Sequence, residues 1–153
     1  MKRSTRFALP LLVLLVAGTA LRGPAATTPQ FNHVAFYVRD LQVSSDFYAK
    51  VVGLETLPEP FHDGRHTWFK IGPGLALHII AGAEAMLPKD KHAHLCFAVP
   101  SMDAFVARLA QAKVAYENLA GEKSAITRRP DGVNQIYFQD PDGYWIEIND
   151  AKS

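Results

Sequence analysis

Four residues that could hold a metal ion stand at matching places in two stretches of this sequence. His33 lies in Asn32-His33-Val34-Ala35-Phe36-Tyr37-Val38 and His94 in Ala93-His94-Leu95-Cys96-Phe97-Ala98-Val99, and the two heptapeptides superimpose as an internal repeat. Each half closes on a second candidate, His78 within Leu75 to Ile80 and Glu147 within Tyr144 to Asn149. Imidazole nitrogen and carboxylate oxygen suit zinc, nickel, cobalt, manganese or iron(II), and a set that leaves coordination positions open is what a catalytic metal requires. A single histidine in a strand is usually a packed or surface residue. Four ligand-type residues at the first and last strands of two equivalent halves are hard to obtain by chance, and His33, His78, His94 and Glu147 are the expected metal ligands.

The elements that must position them follow from the pattern around each histidine. Both heptapeptides are apolar, aromatic and β-branched enough to be strands, and each runs into a helix start. In the first half Ser44 or Ser45 is expected to cap a helix with Phe47, Tyr48 and Val51 on one face, ended by Gly53. In the second half Ser101 caps Met102 to Ala112, with Phe105, Leu109 and Ala112 at helical spacing. Three strands then complete each half: Leu54 to Leu57, His66 to Ile71 and Leu75 to Ile80 in the first, Val114 to Glu117, Val133 to Gln139 and Tyr144 to Asn149 in the second. Asp140-Pro141-Asp142-Gly143 turns the last hairpin.

The predicted fold class is α+β: two βαβββ modules, 31–82 and 92–150, forming curved mixed sheets around a metal-binding cleft. Alternation along a strand puts His33, Ala35 and Tyr37 on the face averted from the helix, and His94, Cys96 and Ala98 likewise, while Glu147 alternates with Ile146 and Ile148. If the modules pair, three imidazoles and one carboxylate meet in one cleft. Tyr37 shares the His33 face, and His66 and Trp68 share a strand face, so these are candidate pocket residues, with core packing the competing role for Trp68. Arg128, next to Arg129 in a polar stretch, is a candidate grip for an acidic substrate group. Cys96 reads as a small filler, and His62 and His92 as exposed residues.

Composition narrows the function classes. The 153 residues carry 16 Lys and Arg against 15 Asp and Glu, with no basic cluster, which excludes the electrostatic footprint of a nucleic-acid binder. One cysteine cannot close an intramolecular disulfide. The N-terminus is a different object: Lys2, Arg3 and Arg6, then an apolar run from Phe7 to Ala17, then Gly18-Thr19-Ala20, in the order of a secretory signal peptide. Residues 1–20 are expected to be removed, with cleavage as late as residue 26 the other option, and 21–30 to be a linker. The product is expected to be exported, periplasmic or secreted, with no stable membrane span. Loss of three bases and no acid turns the formal charge of +1 mildly negative.

From Phe31 to Asp150 the chain resembles the vicinal oxygen chelate superfamily, which includes glyoxalase I, methylmalonyl-CoA epimerase, fosfomycin thiol transferases, extradiol dioxygenases and metal-free bleomycin-binding proteins. The resemblance is carried by Asn32-His33-Val34-Ala35-Phe36-Tyr37-Val38-Arg39-Asp40-Leu41, by Phe47-Tyr48 ahead of Val51-Val52-Gly53-Leu54, by His94-Leu95-Cys96-Phe97, and by Phe138-Gln139-Asp140-Pro141-Asp142-Gly143-Tyr144-Trp145-Ile146-Glu147-Ile148. It implies ligands at His33, His78, His94 and Glu147, and a substrate whose two neighbouring oxygens meet a divalent ion acting as Lewis acid. His78 departs from the pattern, since glyoxalase I-like sequences usually carry Glu there and the epimerases Gln. The implied activity is that of a metal-dependent glyoxalase-like lyase or isomerase with Glu147 as the proton-handling group. The alternatives are an iron-dependent extradiol-type dioxygenase and a non-catalytic small-molecule-binding protein. A homodimer is expected, because uncovered edges of half-open sheets favour association.

Overall fold

The computed structural model describes residues 28–152. The signal expected at 1–20 and most of the expected linker at 21–30 lie outside the described residues. Strand β1 (His33–Val38) buries Phe36 and Val38 and leaves His33, Ala35 and Tyr37 exposed, as strict alternation requires. Helix α1 (Leu41–Asp46) follows, and its cap is Asp40, whose carboxylate accepts the Val43 N–H at 3.0 Å. The expected cap at Ser44 or Ser45 is thereby corrected: a carboxylate one turn earlier satisfies the free helix N–H as well as a hydroxyl does. Ser44 is instead fully buried inside the helix.

The helix widens to π winding over Phe47–Val52 and stops at Gly53, where the N–H groups of Gly53 and Leu54 both donate to the Tyr48 carbonyl. Gly53 has φ of 88°, a left-handed conformation that calls for glycine. Strands β2 (Thr56–Leu57), β3 (His66–Gly72) and β4 (Leu75–Ala81) complete the module. Its sheet runs in the order β1-β4-β3-β2, with β1 parallel to β4 and the other pairs antiparallel.

The second module repeats this plan. Strand β5 (His94–Ala98) leads into α2 (Met102–Gln111), capped by the Ser101 side chain on the Ala104 N–H. Strands β6 (Thr127–Arg128), β7 (Asn134–Gln139) and β8 (Trp145–Asn149) give the order β5-β8-β7-β6, again with the first pair parallel. The strand expected over Val114 to Glu117 does not form. Glu117 makes isolated bridges to Tyr137 and Lys123, and its carboxylate is drawn between Lys91 and Lys123, so β6 takes the sheet edge.

Both sheets turn their apolar faces into one core. Phe36, Val38, Phe69, Leu77 and Ile79 from the first share it with Ile136, Phe138, Ile146 and Ile148 from the second, and Phe47, Tyr48, Phe105 and Leu109 come from the helical segments. Each such side chain contributes roughly 1.5–3 kcal/mol by leaving water. A buried polar seam crosses the same boundary. Asp142 Oδ1 accepts the backbone N–H of Arg39 at 3.0 Å and its Nε–H at 3.1 Å, while Oδ2 accepts the Ser44 hydroxyl at 2.8 Å. Tyr48 donates to Asp140 Oδ2 at 2.7 Å. The Asp140-Pro141-Asp142-Gly143 turn therefore fastens one module to the other as well as reversing the chain. With the apolar faces consumed, the helix-averted faces carrying the four candidate ligands point away from the core.

Candidate metal centre

The second sheet builds the better-defined half of the site. Cys96 stands opposite Glu147, which stands opposite Tyr137, and Gln135 stands opposite Asn149, so these side chains share the helix-averted face. Glu147 is nearly buried, yet its carboxylate is well supplied with donors. Oε2 accepts the Tyr137 hydroxyl at 2.7 Å, and Oε1 accepts Asn149 Nδ2 at 3.0 Å and the Cys96 thiol at 3.3 Å. Burial alone would raise this carboxyl, but the hydrogen bonds from Tyr137, Asn149 and Cys96, with a smaller contribution from His94 when that ring carries a proton, hold it below its ordinary value, so it is ionised. The same burial and the same carboxylate push the Cys96 thiol up to about 12 and raise Tyr137 as well, leaving both as neutral donors.

His94 completes this half. Its Nδ1 lies 2.8 Å from the Lys91 carbonyl, which can only accept, so Nδ1 carries the proton and a neutral ring presents a bare lone pair at Nε2. That atom faces Glu147 Oε2 at 3.2 Å. Two lone pairs confronting each other at this distance need a cation between them, either a proton on the imidazole or a metal ion. An ion at about 2.1 Å from each donor spans the gap, and a carbonyl on the far nitrogen is the usual support of a metal-binding histidine. The donor set therefore fits a divalent ion.

The first sheet is organised by stacking. His78 lies between Trp68, at 4.0 Å and 2° between planes, and His33, at 4.3 Å and 9°. Asn32 Oδ1 holds His33 Nδ1 at 2.8 Å, which frees the His33 Nε2 lone pair. Each lone pair lies in its ring plane, and two nearly parallel planes do not meet near the rings, so His33 and His78 in this stack do not converge on one ion. Burial, together with neighbouring His33 and His66, lowers the His78 imidazole below its usual value and keeps it neutral. Among the described residues no three or more His, Cys, Asp or Glu side chains of one chain gather as a group able to hold an ion. The expected four-residue set thus exists within one chain as two pairs, one on each sheet.

The remaining candidates divide. Tyr37 and His66 flank Ile80 in register, on the face that carries Trp68 and His78. Tyr37 is half exposed, and His66 is held by Asp63 at 2.9 Å with Phe61 tilted over it at 4.7 Å. Arg128 is corrected: it stands opposite Asn134, which shares the face of Ile136 and Phe138, so it lies on the other side of the sheet from Glu147. Its neighbour Arg129 is the one whose charge acts on Cys96 and Tyr137. Tyr137, Asn149 and Gln135 were not among the expected site residues. Gln135 Nε2 donates to the Tyr137 oxygen at 2.9 Å, which commits the single hydroxyl proton of Tyr137 to Glu147. The signal available in the sequence was their alternation with Ile136, Phe138 and Ile148, which puts them on the face of Glu147.

Comparison with known proteins places the chain in a family. Residues 30–148 match the Glyoxalase/Bleomycin resistance protein/Dioxygenase superfamily. The chain is 29% identical to a lactoylglutathione lyase of Pseudomonas putida, over 85% of this chain and 90% of that protein. It is 30% identical to the metallothiol transferase FosB of Shouchella clausii (strain KSM-K16), over 77% of each. Among solved structures the oxidase ChaP-H2 superimposes with a TM-score of 0.67 at 27% identity, covering 82% of this chain and 95% of that one.

Proposed function

The chain belongs to the glyoxalase/bleomycin resistance protein/dioxygenase superfamily, and from that premise we propose that it is an exported, metal-dependent lyase or isomerase acting on a small substrate that meets the metal through two neighbouring oxygens. The observation that carries the proposal is the confrontation of His94 Nε2 and Glu147 Oε2 at 3.2 Å, an arrangement that a cation relieves. The other half of the centre is the pair His33 and His78 on the first sheet, with His78 turned out of its stack to reach the ion. Because both pairs face outward and one chain does not bring them together, the proposed assembly is a homodimer in which His33 and His78 of one protomer meet His94 and Glu147 of its partner.

A divalent ion held there supplies a Lewis acid for oxyanion charge that develops on the substrate. The chain's own residues do the rest. The Lys91 carbonyl aims the His94 lone pair, and Asn32 does the same for His33. Tyr137, Asn149 and Cys96 keep Glu147 ionised and oriented, and Glu147 is the group that holds a proton drawn from the carbon next to a substrate carbonyl.

A second reading, oxygen chemistry at iron(II), is favoured by one observation. With His78 engaged face to face between Trp68 and His33, the remaining ligands are two imidazoles and one carboxylate, the set of non-haem iron oxygenases, and ChaP-H2 is named an oxidase. Elemental analysis of protein purified without chelator separates the two: about one iron per chain supports oxygen chemistry, and zinc, nickel, cobalt or manganese supports the lyase or isomerase. Glu147→Ala is expected to abolish metal retention, and normal metal content in that variant rejects the ligand assignment. Mixing His33→Ala with Glu147→Ala protein should regenerate about a quarter of the sites, as a two-fold dimer sharing each centre requires. Export is tested by the N-terminal sequence of the mature protein; an intact Met1-Lys2-Arg3 start on a cytosolic product rejects it.

A further inference from the structure

Beside the metal pair, the first sheet carries a cavity of about 560 Å³, within the usual range for a small-molecule site. Strand register builds it. On one face Leu57 stands opposite Trp68 and Trp68 opposite His78; in the next row Lys70 stands opposite Ala76 and Ala76 opposite His33. The indole of Trp68 has the His78 ring against it on the β4 side and Leu57, followed by Pro58, on the β2 side, and all four line the cavity. Ala76 is the low point of its row, flanked by His33 and Lys70, so the floor is deepest next to the candidate ligand.

Two features say what the cavity takes. Lys70 is the charged residue in its lining, and it lies at the exposed rim, paired with Glu55 at 3.3 Å, so the walls around Trp68 carry no charge. A charge held against those apolar walls loses water without gaining a partner, which is unfavourable. The second feature is Trp68 Nε1, the buried side-chain polar atom that lacks a hydrogen-bond partner among the described residues. An indole N–H shut away without an acceptor weakens the fold by about 1–3 kcal/mol, and a ligand oxygen is the kind of group that accounts for such an atom.

We propose that this slot, walled by Trp68 with Leu57 and Pro58 and floored by Ala76, binds the body of the substrate, and that this body is flat, apolar and uncharged, with an oxygen that accepts from Trp68 Nε1. The chelating end of the substrate rests on the metal centre proposed above; the body rests on the slot alone. Ala76 sets the size of the body and Trp68 its shape and polarity. A thiol-peptide conjugate with two carboxylates and an ammonium finds one cation, Lys70 at the rim, for its three charges, which separates the substrate class from that of a glutathione adduct.

The test is calorimetric titration of the purified full chain, stripped of metal, with 2-naphthol as the flat neutral probe and S-methylglutathione as the charged one. Saturable binding of 2-naphthol at one per chain is expected, with none of S-methylglutathione. Ala76→Phe should weaken 2-naphthol by about tenfold or more, corresponding to about 1.4 kcal/mol. Ala76→Leu should weaken it less, which controls for a misfolded Phe variant. Trp68→Phe keeps a ring but removes the N–H and should weaken binding about fivefold, the loss of one neutral hydrogen bond. No binding of 2-naphthol, equal binding of S-methylglutathione, or wild-type affinity in both Ala76→Phe and Trp68→Phe overturns the proposal. A chain that takes 2-naphthol but binds none of the divalent ions added back to it rejects the metal centre and leaves the slot standing.

Discussion

Two acidic clusters sit on the same hairpin, a few residues apart, and they are built to opposite rules. On the core side, Asp140 and Asp142 have donors for all four carboxylate oxygens. Asp140 takes the N–H groups of Asp142 and Tyr144 and the Tyr48 hydroxyl, and Asp142 takes the Arg39 N–H, the Arg39 guanidinium and the Ser44 hydroxyl. On the outward side Glu147 is supplied just as generously by Tyr137, Asn149 and Cys96, but a fourth neighbour, His94, turns a lone pair toward it. The core-side cluster is closed, and the outward one is left short of a single positive charge. Burial of acids does not by itself mark function; an acid held ionised beside an acceptor, with everything else satisfied, does.

The sharpest way to break that comparison is to neutralise each acid without changing its shape. Asp142→Asn leaves the Arg39 guanidinium and two donors facing an amide, and is expected to lower stability by about 3 kcal/mol in urea unfolding. Glu147→Gln puts an amide N–H opposite the His94 lone pair but takes the acceptor from the Tyr137 hydroxyl, and should lower the stability of the metal-free protein by about 1 kcal/mol, well under the loss in Asp142→Asn. Equal losses in the two variants would erase the distinction between the clusters.

Acid titration sharpens it further. Burial pushes Asp142 up, but the Arg39 N–H, the Ser44 hydroxyl and the Arg39 guanidinium outweigh it and hold the carboxyl below its ordinary value of 3.8. A depressed carboxyl contributes stability above its unfolded value and loses it as the pH falls through the folded one. Asp140, raised chiefly by burial, has the opposite sign and offsets part of that loss. Wild-type stability should therefore fall below about pH 4, and Asp142→Asn should flatten the fall.

Smaller effects follow from the supports. Tyr137→Phe removes the donor on Glu147 Oε2 and should weaken metal binding about tenfold, measured by competition with a chromophoric chelator, while unfolding is little changed. Asp40→Ala, at the cap of α1 and remote from Glu147, should lower stability by about 1 kcal/mol and leave metal affinity alone. A metal effect from Asp40→Ala larger than that from Tyr137→Phe would mean the outward network does not act locally.

Much of the fold was legible because strand alternation is a local property. Phe36 and Val38 inward with His33 outward, and Ile146 and Ile148 inward with Glu147 outward, need no knowledge of the partner strand. The failures occur where several elements compete for one group. Ser44 has the right residue type for a cap, but Asp142 from the other module takes its hydroxyl. Arg128 and Arg129 are indistinguishable by type, and only the pairing of Arg128 with Asn134 shows that Arg128 stands on the side of the sheet away from Glu147.

The sequence by itself determined the repeat, the two-module architecture and the face on which each candidate ligand stands, since these depend on residue spacing along one strand. Tertiary structure alone decided that His78 is stacked between Trp68 and His33, that Glu147 is held ionised by Tyr137, Asn149 and Cys96, and that the four candidate ligands divide into two pairs. Ring planes, hydrogen-bond partners and ionisation are set by neighbours brought from distant parts of the chain, and no spacing along a single strand encodes them.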